Sequence, residues 1–262
     1  MNQPLISIII TVLNGEKTIR QCLESIAKQT FTGYEVVIVD GGSSDETVSI
    51  VNEVNLPNKR LHIIPGLGLY AGLNAGIKQS VGQWLYFIGC DDELNDSVTL
   101  ENVANVINED TDGAKVFVGS VACVKQDNVL HPKFGSPYLM KYQVHHQGMF
   151  YNRHVFDNLL YDENRRIISD YELNLKLALN KVPHQYMDLI ICRFGGDGIS
   201  ENQAQRGYVE MQEVHKQIFK GWYRILTLTF CSLQHNIVLA RKRLNLVNLK
   251  VRFKRLVFQV SN

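Results

Sequence analysis

The feature that most constrains this chain is the alternation, across its first hundred residues, of short apolar runs with amphipathic stretches. Leu5 to Leu13, Tyr34 to Val39, Leu61 to Ile64 and Trp84 to Ile88 are built of strand-forming residues with little polar alternation. Runs of that kind suit strands buried on both faces, as in a parallel sheet covered by helices. Between them, Thr18 to Lys28 places Ile19, Leu23, Ile26 and Ala27 at helical spacing, and two further helices are expected through Val48, Val51 and Val54 and through Leu73 and Ile77. Breakers follow each run: Asn14-Gly15, Asp40-Gly41-Gly42, Pro65-Gly66 and Gly89. Ser43, with Glu46 three positions on, has the form of a capping box and marks the expected start of the second helix. Strand and helix repeated in this way predict an α/β fold: a right-handed, doubly wound, mostly parallel central sheet with helices on both faces.

In such sheets ligands bind outside the carboxyl ends of the strands. Asn14, Asp40 and the pair Asp91-Asp92 each lie just past such an end, so they should share one edge. After Gly89 three acids follow almost at once, Asp91, Asp92 and Glu93. Carboxylates so placed repel one another, and a hard divalent cation bridging to substrate phosphates removes the repulsion. A solvated acidic turn that only ends the strand is the other reading at this point. Gly66-x-Gly68 lacks the third glycine of a dinucleotide fingerprint, and no P-loop lysine motif is present. Nicotinamide-dependent dehydrogenases and ATPases are thereby disfavoured.

The second half is less regular. Helices are expected over Ser97 to Glu109, near Val155 to Leu160 and from Glu201 to Lys220, with strands over Val116 to Lys125, Met149 to Tyr151 and His184 to Phe194. Gly119 inside a strand suggests a bulge or a close backbone approach. Ile167 to Glu172 opens a helix with Leu173, Leu177 and Ala178 inward, and Asp170 sits at its amino end, where the helix dipole favours a carboxylate.

With 262 residues the chain fits one sizeable domain with an appendage. Its start carries no positive charge before the nine-residue run Leu5 to Leu13, so neither a secretory leader nor a membrane span is expected there. The five cysteines are widely separated and odd in number, which favours a reducing compartment, the cytoplasm. A net charge of +1 hides an asymmetry: Val214 to the end holds ten Lys or Arg and no acid, leaving the first 213 residues at about −9. The expected division is a main domain over 1–213, with halves meeting near 112, and a basic helical tail over 214–262. Apolar residues alternate in that tail with Arg241-Lys242-Arg243, Lys250, Arg252, Lys254 and Arg255. An anionic membrane surface is its expected partner, each cation contributing about 1 kcal/mol near the headgroups. A helix packed on the domain with its cations solvated is the alternative. No nucleic-acid module accompanies the basic residues, so nucleic acid is not expected.

Five blocks carry a resemblance. Ser7 to Asn14, Val39 to Thr47 (with Asp40), Gly68 to Ile77, Phe87 to Asp92 and Ser169 to Glu172 occur in the order in which a known family carries them. The chain resembles family 2 glycosyltransferases of the GT-A fold, the group that builds bacterial polysaccharides, over about residues 4 to 200. That resemblance implies a nucleoside-diphosphate sugar donor, a UDP-sugar first, and transfer of a hexosyl or N-acetylhexosaminyl group with inversion to a saccharide hydroxyl on a lipid-linked acceptor. It implies Mg²⁺ or Mn²⁺ as cofactor, with Asp92 as the metal ligand. Thr11, Asn14, Asp40, Asn74 and Asp91 match donor-binding positions, with Asp40 reading base or ribose and Asp91 near the ribose. Asp170 matches the catalytic base. His146 and Gln147, with Glu172, match the sugar or acceptor pocket, and Gly195 to Ser200 resembles a late loop near the diphosphate. The implied location is the inner face of the cytoplasmic membrane.

The sequence departs from the family at Leu13, where relatives carry an aromatic residue, and at Ala71 and Ala75, where they carry Asp and Lys. A nucleotidyltransferase is a rival α/β reading, but it places a Gly-rich, Arg- or Lys-bearing loop after the first strand, and here Asn14-Gly15-Glu16-Lys17 follows. A non-catalytic nucleotide-sugar-binding protein is the other rival, against which the joint presence of Asp40, Asp91, Asp92 and Asp170 counts.

Overall fold

The structure, a computed structural model, describes residues 3–135, 139, 144–195 and 204–243. The chain divides into two compact units, Met1–Gln203 and Ala204–Asn262. The second unit therefore begins ahead of residue 214, where the acids cease.

Four strands, β1 (Ile6–Val12), β2 (Tyr34–Asp40), β3 (Lys59–Ile63) and β4 (Trp84–Phe87), lie parallel in the order β3-β2-β1-β4. Nearly every side chain of β1, β2 and β4 is buried, on both faces, which is why their sequences show no alternation. Helices α1 (Ile19–Ala27), α2 (Thr47–Glu53) and α3 (Leu69–Gln79) connect them. α1 buries Ile19, Cys22, Leu23 and Ile26. α3 lies close on the sheet because Gly72 and Gly76 face it: a Cβ at Gly76 would stand 2.5 Å from Ile9 Cγ2, and one at Gly72 2.9 Å from Thr11 Cγ2.

The capping box expected at Ser43 and Glu46 does not form, and α2 starts only at Thr47. The Ser43 hydroxyl is already taken, donating to Asp40 Oδ2 at 2.5 Å and accepting from the Asn14 N–H at 2.8 Å. Asp45 meets the Thr47 N–H in its place, at 3.1 Å.

Beyond β4 the sheet becomes mixed. β5 (Glu93–Leu94) and α4 (Thr99–Glu109) are followed by β6 (Val116–Cys123), with β7 (Asn128–Leu130) folded back antiparallel on it. β8 (Met149–Asn152) lies antiparallel between β4 and β6. β9 (His184–Phe194) runs parallel to β6 and pairs β5 antiparallel at its other edge. Parallel order thus belongs to the first four strands and to the β6–β9 pair. The register of β6 against β9 shifts on either side of Ser120, next to Gly119, whose missing Cβ would meet Ile191 Cγ1 at 2.5 Å. Gly119 thus marks a close approach beside an irregular stretch of the β6–β9 pairing. The helix expected near Val155 to Leu160 is a 3₁₀ turn over Arg153–Phe156, and α5 (Ser169–Leu179) begins one residue before Asp170. Stacking of Tyr86 on Phe150, 4.5 Å between ring centres, joins β4 to β8 inside the core.

In the second unit α6 (Ala204–Ile218) and α7 (Gly221–Arg243) pack together, with Gln212 Nε2 donating to Ser232 Oγ at 3.3 Å. Trp222, Tyr223, Ile225 and Leu226 are exposed at the start of α7. No described helix is long and apolar enough to cross a membrane. Lys250, Arg252, Lys254 and Arg255 lie outside the described residues, as does Gly196 to Ser200.

Candidate active site

The ends of β1, β2 and β4 bring Asn14, Asp40 and the Asp91-Asp92 pair to one edge of the sheet. Asp40 is fully buried there and organises its own turn. Its Oδ1 accepts from the Gly42 and Ser43 N–H groups at 2.8 Å each, and its Oδ2 from the Ser43 hydroxyl. Asn14 takes a left-handed backbone, φ +53°, a conformation Asn tolerates. From it the Asn14 Oδ1 accepts from the Ser44 N–H at 2.9 Å, tying the loop after β1 to the loop after β2. Thr11 packs beneath α3 against Gly72. Asn74 does not join this edge. Its buried amide donates to Tyr161 O and Glu163 Oε1, both at 2.9 Å, and its Oδ1 accepts from the Tyr161 N–H at 3.1 Å. The side chain is committed to holding the 161–163 segment.

The acidic pair is shaped by Gly89. A Cβ there would stand 2.7 Å from Asp91 Oδ1 and 2.7 Å from Asp92 Oδ2, so the two carboxylates converge over the glycine. Asp92 is almost fully buried; Gln147 Nε2 donates to its Oδ2 at 3.1 Å and the Gly195 N–H to its Oδ1 at 3.0 Å. Burial first, and then the charge of Asp91, push the Asp92 carboxyl up to about 6. Each oxygen keeps a second lone pair, and a hard divalent cation suits such all-oxygen, net-negative donors. Among the described residues no group of three His, Cys, Asp or Glu gathers as a complete metal cage. The third acid of the run, Glu93, lines a separate surface cleft with Glu24, Lys28 and Arg193.

Asp170 stands in the first turn of α5. Its Oδ1 accepts from the Tyr70 hydroxyl at 2.9 Å, and its Oδ2 lies 3.1 Å from His146 Nδ1. Burial alone would raise the Asp170 carboxyl, but the hydrogen bond and charge of His146 and the Tyr70 hydroxyl outweigh it and hold the group below the ordinary range. For His146, burial works against protonation and the adjacent Asp170 carboxylate overcomes it, so the imidazole is raised. His145 faces elsewhere, its ring 5.2 Å from that of Phe194, and burial lowers it.

Residues 146 to 148 form a 3₁₀ turn, and that turn links the two carboxylate centres. Two consecutive side chains leave it in different directions, His146 to Asp170 and Gln147 to Asp92. The turn is pinned by Tyr86, whose hydroxyl donates to Gln147 O at 3.0 Å, and by Gly148, where a Cβ would meet Gly119 O at 2.5 Å. Glu172 stays apart from this group. It is buried between Arg165, at 3.0 Å, and Lys176, at 2.7 Å. The contact of Tyr70 with Asp170 has no counterpart in the sequence reading, whereas Gly89 marks the end of the strand there and Gly195, the first residue of the late glycine-rich loop, brings its N–H to Asp92. The Gly-Leu-Tyr start of the third helix carried the only local signal for Tyr70.

The profile described as Glycosyl transferase family 2 matches residues 7–165. The PGL/p-HBAD biosynthesis glycosyltransferase Rv2957 of Mycobacterium tuberculosis is 35% identical over 210 residues, 75% of this chain and 80% of that protein. The poly(ribitol-phosphate) beta-N-acetylglucosaminyltransferase TarS of Staphylococcus aureus is 38% identical over 109 residues, 39% of this chain but 19% of its own. Among solved structures, S. aureus TarS 1-349 in complex with UDP-GlcNAc superposes with a TM-score of 0.69 at 21% identity, covering 90% of this chain and 74% of that one. The mannosyltransferase PcManGT from Pyrobaculum calidifontis, in complex with GDP-Man and Mn²⁺, gives 0.65 at 14% identity, covering 94% and 81%. At these identities the structural likeness shows a shared fold.

Proposed function

This chain belongs to glycosyl transferase family 2, and we propose that it moves a sugar from a nucleoside-diphosphate donor to a saccharide hydroxyl with inversion. The observation that carries the reading is the 3₁₀ turn at His146–Gly148, whose consecutive side chains His146 and Gln147 bond an acid fit for a base, Asp170, and an acid fit for a metal, Asp92. Asp170, held below the ordinary carboxylate range, is ionised at neutral pH and able to take the proton of an acceptor hydroxyl. As that oxygen attacks, its O–H bond breaks toward Asp170 and its bond to the anomeric carbon forms. The bond from that carbon to the diphosphate oxygen breaks on the opposite face, and one in-line displacement inverts the centre. Asp92, with Asp91 beside it, would hold Mg²⁺ or Mn²⁺, which supplies charge stabilisation for a departing diphosphate. The turn built on Asp40, Ser43 and Asn14 frames the nucleotide side of the same edge.

Two relatives guide the choice of donor. TarS is named as an N-acetylglucosaminyltransferase and was crystallised with UDP-GlcNAc, which supports a UDP-N-acetylhexosamine as the first donor. PcManGT, with GDP-Man and Mn²⁺, supports a divalent metal and keeps GDP-mannose as a candidate. The acid-free run from Val214 and the exposed Trp222, Ile225 and Leu226 support a tail over 214–262 that lies on an anionic membrane surface at its cytoplasmic face, where a lipid-linked saccharide is presented. The test is release of nucleotide from UDP-GlcNAc, UDP-glucose and GDP-mannose with Mn²⁺, with Mg²⁺ and with EDTA. Metal-dependent release from one donor is expected. Absence of both release and binding across the panel would overturn the reading.

A further inference from the structure

Tyr70 is buried in the first turn of α3, in the half of the first unit that carries the donor edge, whereas Asp170 belongs to α5. Its ring lies 5.6 Å from that of Tyr161, tilted by 32°, which holds the phenol in place. The hydroxyl reaches Asp170 Oδ1 at 2.9 Å, across one hundred positions of sequence, while His146 Nδ1 takes Oδ2 at 3.1 Å. Two groups from two separate elements thus hold one oxygen each.

We propose that Tyr70 is a positioning residue of the transfer step: its hydroxyl and the His146 imidazole grip the two oxygens of Asp170 and fix the plane in which that carboxylate meets the acceptor hydroxyl. This rests on Asp170 being the group that takes the acceptor's proton. A carboxylate free to rotate about its side-chain bonds spends most of its time misaligned, and a misplacement of an ångström is enough to cost rate. Burial and the Asp170 charge push the Tyr70 phenol up, so it stays protonated and donates at any working pH. The other titratable groups facing Asp170 are His145, which is lowered by burial, and the phenols Tyr151 and Tyr161, which stay neutral; Asp91 and Asp92 act on His146. Hydrogen bonds to the ionised carboxylate favour it, so removing one raises the Asp170 pKa and moves the acid limb of the rate to higher pH.

Three variants test this: Tyr70→Phe, His146→Gln, which keeps an N–H donor, and His146→Ala. A fourth protein with 3-fluorotyrosine at position 70 keeps ring and hydroxyl while strengthening the donor. The readouts are kcat and KM against pH for nucleotide-sugar turnover, and a ¹³C-carboxyl NMR titration of Asp170, its signal assigned by its loss in Asp170→Asn. Tyr70→Phe should leave donor KM unchanged, lower kcat roughly 10-fold to 100-fold, and shift both acid limb and NMR titration upward. The fluorotyrosine protein should shift both downward, and His146→Gln should retain more kcat than His146→Ala. An unmoved NMR titration with wild-type kcat in Tyr70→Phe would overturn the proposal; should that variant fail to fold, an unmoved titration in the fluorotyrosine protein would do so. Turnover surviving in Asp170→Asn would instead remove the base assignment itself.

Discussion

At Gly89 a side chain is excluded because two carboxylate oxygens occupy the space it would need, each 2.7 Å from the missing Cβ. Gly89→Ala should therefore splay Asp91 and Asp92 apart and weaken Mn²⁺ binding roughly 10-fold or more, measured by calorimetry, while the melting temperature of the metal-free protein changes little. Asp92 adds a pH signature. Its carboxyl, raised to about 6 by burial and by Asp91, holds its proton more tightly folded than unfolded. Its contribution to stability is thus fully present below the unfolded value near 4 and is lost as pH rises through about 6. Mn²⁺ competes with that proton, so the melting shift produced by Mn²⁺ should be large at pH 7.5 and should shrink as pH falls through about 6; a shift independent of pH would count against Asp92 as ligand. Asp91, Asp92 and Asp170 were legible in ordered sequence blocks, and His146 and Gln147 through a further match; the structure joins Asp170 to His146 and Asp92 to Gln147. Tyr70 lay in an ordered block too, but its contact with Asp170 could not be read, because a contact spanning one hundred positions leaves no spacing to read. Glu172 shares a block with Asp170, yet two residues along a helix turn it roughly 200° away, into the Arg165 and Lys176 pair.

Helix α3 does two jobs at the level of elements: Tyr70 reaches Asp170, and Asn74, one turn on, binds the 161–163 segment through three hydrogen bonds. Asn74→Ala strands the Tyr161 backbone groups and should cost about 1–3 kcal/mol in urea denaturation while leaving donor affinity within about twofold. A loss of donor binding with unchanged stability would return Asn74 to the nucleotide edge. β1, β2 and β4 were readable because burial on both faces writes a continuous apolar run, whereas the outer strand β3, KRLHI and only partly buried, was read without its first two residues, Lys59 and Arg60. Strand β5, two residues long, and the 3₁₀ turn at His146–Gly148 are too short to impose a period, so neither could be seen. The capping box misled for a different reason: local pattern marks what Ser43 can do, whereas Asp40, three residues earlier, and Asn14, brought alongside by the sheet, decide what it does.

For the whole molecule, charge asymmetry is the property that sequence displays most openly, with acids absent from Val214 onward. The exposed Trp222, Tyr223, Ile225 and Leu226 on α7 add an apolar component suited to a headgroup boundary. Replacing Arg241, Lys242 and Arg243 by Glu should weaken binding to phosphatidylcholine vesicles with about one part in three phosphatidylglycerol by at least tenfold, and salt should weaken the wild type likewise. Equal sedimentation of both proteins with those vesicles would remove the membrane role and leave the transfer chemistry untouched. That chemistry rests on separating donor binding from proton removal between Asp92 and Asp170. The most direct measurement compares wild type with Asp170→Asn for UDP-GlcNAc in Mn²⁺, reading donor affinity by calorimetry and UDP release in the same samples. Affinity within about threefold and release reduced by roughly 10²-fold to 10⁴-fold are expected. Asp170→Asn releasing UDP at the wild-type rate would refute Asp170 as the base.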